Sequence, residues 1–313
     1  MRIYHNILCL FTLLVVCQTM NAQYDVNFSH YFDMEPYFNP AAVGKETKLN
    51  INAAYAMNLT GFKHNPRTMY LGADMPLYAI KQVHGVGVQL LNDQIGLFTH
   101  KRLSIQYAYK HRMFGGTISA GIQGGLIAEN FDGSKVNLED ANDPAFSSSS
   151  INGNTFDMGA GVYYTHKQWY AGVSAIHITS PTVELGENNE LKISAVYYLT
   201  GGYNIKFRNP FLTIKTSALG RTDGTVWRAD LTSRLVYTND NKIMYGGIAY
   251  SPTNSITFLI GGIVHGVMLG YSYELYTSAL DPGNGSHELY VGYQMDVNLQ
   301  KKGRNKHKSV RLL

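Results

Sequence analysis

The sequence predicts an all-β protein, a transmembrane antiparallel β-barrel of about fourteen strands with an N-terminal segment packing in or against the lumen. Three observations carry this expectation. The first is alternation. Residues 287–299 set Leu289, Val291, Tyr293, Met295, Val297 and Leu299 on one side, and Glu288, Tyr290, Gly292, Gln294, Asp296 and Asn298 on the other. Successive strand side chains point to opposite faces, so this stretch has one apolar face and one polar face. A soluble sandwich permits that pattern; a wall between lipid and a wet lumen requires it. The second is length: many alternating runs last about 9–12 residues, the span a tilted strand needs to cross a bilayer. The third is the connections, which alternate between a long set, with gaps of 26 and 15 residues, and a short set. Long external loops and short periplasmic turns alternate in this way.

Composition agrees. Charged residues are 15% of the 313, against roughly 25% in ordinary soluble domains, yet apolar content is an unremarkable 45%. A chain poor in charge without long apolar runs suits strands that need grease only at every second position. No run of about 18 apolar residues follows Ala22, which excludes helical spans.

Residues 1–22 read as a secretory signal peptide. Arg2 supplies the positive start, 7–16 the short apolar core, and Met20-Asn21-Ala22 the small-residue end. Both cysteines, Cys9 and Cys17, fall inside it, so the remaining chain has no disulfide or thiolate chemistry. Residues 23–47 form an aperiodic segment dense in rings (Phe28, Tyr31, Phe32, Tyr37, Phe38) that ends in Asn39-Pro40-Ala41-Ala42-Val43-Gly44. Aromatics at this density belong out of water, and a fourteen-stranded barrel has a lumen wide enough to take them as a plug.

The barrel is expected over 48–299. Its strands are read at 48–58, 69–75, 85–92, 103–112, 116–128, 155–166, 169–177, 193–207, 212–220, 227–237, 243–251, 255–263, 267–276 and 287–299. In 103–112, Leu103, Ile105, Tyr107 and Tyr109 oppose Ser104, Gln106, Ala108 and Lys110; in 155–166, Phe156, Met158, Ala160, Val162 and Tyr164 oppose Asp157, Gly159 and Gly161. Trp169, Trp227 and tyrosines near strand ends fit interfacial girdles. The polar-face charges Arg228, Asp230, Arg234, Glu274, Glu288 and Asp296 read either as a hydrated wall or as a docking surface for a plug or partner peptide. Residues 300–313 form a basic periplasmic tail with Lys301, Lys302, Arg304, Lys306 and Lys308 as a possible partner contact. Together with Arg2 that tail more than accounts for the net charge of +4, so the body is no nucleic-acid binder.

Catalytic and metal constellations are absent. There is no His-Glu-x-x-His, Gly-x-Ser-x-Gly or phosphate loop, and the 11 histidines are scattered. The carboxylates of the longest loop, Asp132, Asp140 and Asp143, do not have calcium-loop spacing. The expectation is a protein without enzymatic activity, cofactor, metal or small-molecule substrate.

An ordered set of short motifs resembles the PorP/SprF family of Bacteroidota outer-membrane proteins. It comprises Asn39-Pro40-Ala41 with Gly44, Gly61-Phe62 with Pro66 and Thr68, and Asn92-Asp93-Gln94-Ile95-Gly96. It continues with Tyr107-Ala108-Tyr109-Lys110, Asp143-Pro144-Ala145-Phe146, Gly159-Ala160-Gly161-Val162-Tyr163-Tyr164 and Ser286-His287-Glu288. Two departures are Leu59, where the pattern has tryptophan, and the tail beyond the last strand. The resemblance implies a barrel in the outer membrane serving type IX protein secretion or gliding motility. Its implied partners are the lipid bilayer and either periplasmic secretion-ring proteins or a secreted adhesin. The family-motif positions Asn39, Pro40, Gly44, Gly61, Phe62, Asn92, Asp93, Gly96, His287 and Glu288 are expected to be structural or partner-binding. The alternative is an outer-membrane channel for small or hydrophobic solutes.

Overall fold

The computed structural model describes residues 25–80, 82–133, 150–186, 189–240, 242–278 and 284–297. Fourteen strands form a closed antiparallel barrel. They are β1 (Lys48–Met57), β2 (Arg67–Ala79), β3 (Gln82–Ile95), β4 (Phe98–Met113), β5 (Gly116–Asp132), β6 (Ser150–Thr165) and β7 (Trp169–Ile176), followed by β10 (Val196–Lys206), β11 (Leu212–Thr222), β12 (Trp227–Asn239), β13 (Lys242–Ser251), β14 (Ser255–Val264), β15 (Val267–Tyr276) and β16 (Ser286–Asp296). Between β7 and β10, β8 (Thr182–Leu185) and β9 (Asn189–Lys192) make a separate hairpin. The barrel closes where β1 pairs with β16, from Lys48↔Asp296 to Met57↔His287. Closure removes the sheet edges, as hydrocarbon demands of every backbone polar group.

The register locates the bilayer. Leu71, Leu90, Leu103, Leu126 and Phe156 lie side by side across β2 to β6, all exposed on the outer wall. One outward step toward the long loops, the row becomes Met69, Asn92, Lys101, Ala128 and Asn154. An all-apolar row thus gives way within that step to one in which Asn92, Lys101 and Asn154 are polar. At the other end of β4, Tyr107 and Tyr109 are exposed just before His111. At about 3.4 Å per residue and a tilt of about 40°, Lys101 to His111 rises roughly 26 Å, matching the apolar band of about 25 Å expected of such barrels. Trp169 begins β7 on the short-turn rim and Trp227 begins β12 on the opposite rim, both exposed.

The expected strands are present, and most limits differ: β2, β3 and β4 run longer than expected, to 67–79, 82–95 and 98–113, and the shifts at β5, β6, β10 and β16 have a structural reason. β5 continues to Asp132 and β6 starts at Ser150, because both rise past the polar row into water, where alternation against lipid is lost. β10 starts at Val196 rather than 193: Ile193 is fully buried beside the hairpin, with its N–H donating to the Pro181 carbonyl at 2.9 Å. β16 ends at Asp296 rather than 299. The basic tail and the acidic stretch of the longest loop lie outside the described residues.

The N-terminal segment runs inside the lumen. It folds as a 3-10 turn (Tyr31–Asp33), a single helical turn α1 (Glu35–Phe38) and a second 3-10 turn (Pro40–Ala42). Its last part lies on a belt of small residues. Gly85, Ala108, Gly121, Gly161 and Ser174 are consecutive register partners across β3 to β7. A Cβ on Gly85 would come 2.0 Å from the Val43 carbonyl oxygen; on Gly121, 2.3 Å from the Ala41 nitrogen; on Gly161, 2.2 Å from Asn39 Oδ1. At Gly85 and Gly121 the segment's backbone therefore rests on the wall's backbone, and at Gly161 its Asn39 side chain does; a Cβ fits at none of the three.

Gly121→Leu should unseat residues 39–43, since overpacking costs about 1–3 kcal/mol and backbone on both sides gives no room. Limited proteolysis should then cut within 25–44, while heat-dependent gel migration still reports a folded barrel. Gly246→Leu, on the outer face with nothing within 4 Å of the new Cβ, should leave both readouts unchanged.

Candidate functional site: the plugged lumen

The segment crosses the lumen from the long-loop half, at Asp25, to the short-turn half, at Gly44. Phe28, Met34, Tyr37, Phe38, Ala41 and Val43 are at most 1% exposed. Phe28 packs edge-on to Tyr37 at 5.1 Å between centroids and tilts against Tyr70 of β2 at 5.7 Å; Phe38 meets Tyr198 of β10 at 5.5 Å. These rings form one cluster with the inward faces of the wall.

Polar contacts fix the register of this apolar seat. At the long-loop end the Asp25 carboxylate accepts from Arg102 at 3.4 Å, His177 Nε2 at 3.2 Å and the Tyr198 hydroxyl. Arg221 donates to the carbonyls of Asp25 and Val26 at 3.0 and 3.1 Å. Burial alone would raise the Asp25 carboxyl, but the His177 and Arg102 cations outweigh it and hold it well below the usual carboxylate range. Burial likewise opposes charge on His177, yet Asp25, together with Asp157 at 3.0 Å from Nδ1, pushes it up to about 9.

In the middle of the lumen Glu288 grips the chain. Its two carboxylate oxygens accept from the backbone N–H of Ser29 at 2.7 Å and of His30 at 2.9 Å, and one lies 2.7 Å from His30 Nδ1. The His30 ring stacks on Tyr290, one inward position along β16, at 5.4 Å and 12°. The Tyr31 hydroxyl donates to the carbonyls of Ser217 and Asp230, and Arg234 lies over the Phe32 ring at 3.2 Å. Further down, Gln106 donates to the Pro36 carbonyl at 2.7 Å and Ser174 to the Phe38 carbonyl at 2.6 Å. Asn39 bridges β6 and β7 by donating to Val162 and Val173 carbonyls, and its Oδ1 caps the next turn by accepting from the Ala41 N–H at 2.9 Å. Pro40 occupies the first position of that turn, where its missing N–H costs nothing. Gly44 leaves the segment at φ +61°, its N–H donating to Asp74 at 2.7 Å.

Above Asp25 the β8–β9 hairpin folds onto the inner faces of β5 and β6. Val183, Leu185 and Ile193 form a buried cluster with Ile127, and the Glu184 carbonyl approaches the wall where Gly153 lacks a side chain. Both ends of the lumen are thus narrowed by the chain itself.

The motif positions separate into three groups. Asn39, Pro40, Gly44 and Glu288 converge on the plug. Asp93 is buried higher on the inner wall and accepts from the Thr68 hydroxyl at 2.6 Å. Gly61 and Phe62 are exposed in the β1–β2 connection, and Gly96 takes φ +61° in the tight β3–β4 turn. Asn92 faces outward, and so does His287, whose Nδ1 is 2.8 Å from the Tyr271 hydroxyl. Lys301, Lys302, Arg304, Lys306 and Lys308 lie outside the described residues. Of the inward charges, Arg234 and Glu288 hold the plug, Arg228 pairs with Asp230 and Glu274 at 3.0 and 3.1 Å, and Asp296 is exposed at the strand end. Asp25, Arg102, His177, Tyr198 and Arg221 were invisible as a group. Only the even-number parity of β4 marks Arg102 as inward, and nothing in sequence joins it to Asp25.

Similarity to known proteins agrees with this architecture. The CymD monoaromatic hydrocarbon channel superposes with a TM-score of 0.50 at 9% identity, covering 88% of this chain and 95% of that one. A Pseudomonas aeruginosa FadL homologue gives 0.44 at 11% identity, covering 83% and 93%. Outer membrane phospholipase A from Escherichia coli gives 0.34 at 13%, covering 84% and 99%. At 9% identity the likeness to CymD is one of fold alone. No curated protein matches the sequence. The model of the type IX secretion system membrane protein family PorP/SprF matches residues 20–293. With that match spanning most of its length, and with a closed barrel banded for the outer membrane, this chain belongs to the PorP/SprF family.

Proposed function

We propose that this protein is a non-enzymatic component of type IX secretion or gliding that works by binding other proteins at its rims, not by conducting solutes. The secreted partner is an adhesin exported or held at the cell surface, and the periplasmic partner belongs to the secretion ring. The observation that carries this reading is the filled lumen. Twenty residues of the chain occupy it, with rings fully buried and carboxylate, guanidinium and amide contacts along its length. A porin keeps its lumen as an aqueous channel; this barrel commits its lumen to internal packing.

Two experiments test the reading. The purified barrel in a planar bilayer should be electrically silent, and removal of residues 25–44 should open steps of steady conductance. Should the intact barrel conduct steadily with no protein bound, the solute-channel alternative replaces this one. Affinity-tagged protein taken from its native membrane should bring down a large secreted protein or periplasmic ring components.

Glu288→Ala strips two backbone amides and His30 of their acceptor. Breaking a buried charged contact costs roughly 3–5 kcal/mol, so this single change should produce intermittent openings in an otherwise silent barrel. Glu288→Gln, which keeps an acceptor oxygen, should open less often.

A further inference from the structure

The short-turn mouth of the lumen is divided by the residues that lead from the plug into β1. On one side is a small hollow of about 100 Å³ whose lining carries Asp33, Glu35, Glu46 and Asp74. On the other is a cavity of about 510 Å³ lined by Lys45, Lys110, Arg112, His166 and Lys167, with no carboxylate in its lining. Lys45 lines both lobes and is paired with Glu35; apart from it, the carboxylates line one lobe and the cations the other.

Lys110 is the informative residue. It lies on the inward side of β4 and is 8% exposed. Among the described residues its ammonium has one hydrogen-bond partner, the Ser119 hydroxyl at 3.4 Å. Lys45 is already engaged by Glu35. Arg112, one inward position further toward water, and Lys167, in the β6–β7 turn, bring more positive charge with no ion pair among the described residues. A buried ammonium held by a neutral hydroxyl is costly, and neighbouring cations make it costlier. The same arrangement draws in an anion, because a low-dielectric cleft of one sign concentrates its counter-charge.

We propose that this cavity is a receptor pocket for an acidic segment of a periplasmic protein, whose Asp or Glu carboxylates pair with Lys110 and Arg112. The proposal rests on the outer-membrane secretion reading, which turns this rim toward the periplasm. Three features favour a polypeptide. The cavity's charged floor, Lys110 with Ser119, is on the inner wall, while its outer lip is formed by the turn residues 113–116 and 166–167. Its volume falls within the range of specific ligand pockets and accepts a short run of chain. The adjoining acidic lobe repels the same segment, which fixes where it enters.

The test uses the full-length barrel in a neutral detergent and a fluorescein-labelled hexaglutamate peptide read by anisotropy. Saturable binding is expected, weakened by about tenfold or more in the Lys110→Gln/Arg112→Gln double variant, and weakened again when salt rises from about 50 mM to about 500 mM. A labelled hexalysine peptide should not bind. Heat-dependent gel migration checks that the double variant is folded, and a separate Arg112→Gln variant, at an exposed position, should lose affinity even if Lys110→Gln is poorly tolerated. Unchanged binding by folded variants overturns the pocket. Displacement of the peptide by equimolar inorganic phosphate also overturns it, as the mark of a simple ion site, and so does competition by anionic phospholipid vesicles matching that of unlabelled peptide. Native pull-down of the unmutated protein is scored separately, so the secretion reading can survive the loss of this pocket.

Discussion

Fourteen strands enclose a space that their own side chains cannot fill and that hydrated solutes cross only if it is left open. An eight-stranded barrel packs its own interior, and a sixteen-stranded one keeps an aqueous channel. This barrel lies between them and resolves the problem with its own N-terminal chain. The rest of the structure follows from fitting a stretch of irregular backbone against a sheet. Irregular backbone needs partners for its amides and carbonyls, and in a sheet most main-chain groups are already paired, so the partners come largely from side chains. Hence Glu288, Gln106, Ser174, Arg221 and Asn39 each reach to main-chain atoms across the lumen. Where no side chain can intervene, the belt from Gly85 to Ser174 lets backbone rest on backbone.

Magnitudes assign different tasks to these contacts. Each fully buried aromatic contributes roughly 1.5–3 kcal/mol, and each ordinary hydrogen bond a net of about 1 kcal/mol. Phe28, Met34, Tyr37 and Phe38 therefore supply most of the driving force for filling the lumen. That force is indifferent to a shift of one residue along the barrel axis. The polar contacts are not: Glu288 accepts two consecutive amides, and Asn39 ties two strands at once, so a one-residue slip would strand several buried partners. The apolar groups hold the plug in place and the polar ones define which place.

The division between what was legible and what was not follows the range of the interactions. The lipid-facing wall could be read because alternation is a local signal, repeated through Leu289, Val291, Tyr293 and Met295 and again through Leu103, Ile105, Tyr107 and Tyr109. The plug could be read as a candidate from its rings alone, since nothing else hides so many aromatics. The clasp of Glu288 on His30 could not: Glu288 was marked as an inward motif charge, but its partner lies 258 residues away and nothing in sequence joins the two. Arg234 read equally as hydrated wall or as docking charge for a plug, and its stacking on Phe32, which decides between them, depends on where the plug runs. The β8–β9 hairpin was missed for another reason. Val183 and Leu185 alternate for only four residues beside Gly186, too short a run to separate from a loop, and the burial that stabilises them comes from Ile127 on a distant strand.

The plug also explains why the two mouths differ chemically. At the long-loop end Arg102, His177 and Arg221 each find an acceptor on Asp25, and the hairpin closes over them. At the short-turn end the chain must turn from the lumen into β1, and Gly44 lets it do so against Asp74. That turn places Glu35, Asp33 and Asp74 on one side, while Lys110 and Arg112 are left on the other. A single chain crossing the mouth thus sorts acidic from basic groups that would otherwise pair across an open lumen. The imbalance at Lys110 is a direct outcome of plugging the barrel, and it leaves the short-turn face with a chemistry that an empty barrel of the same sequence would not present.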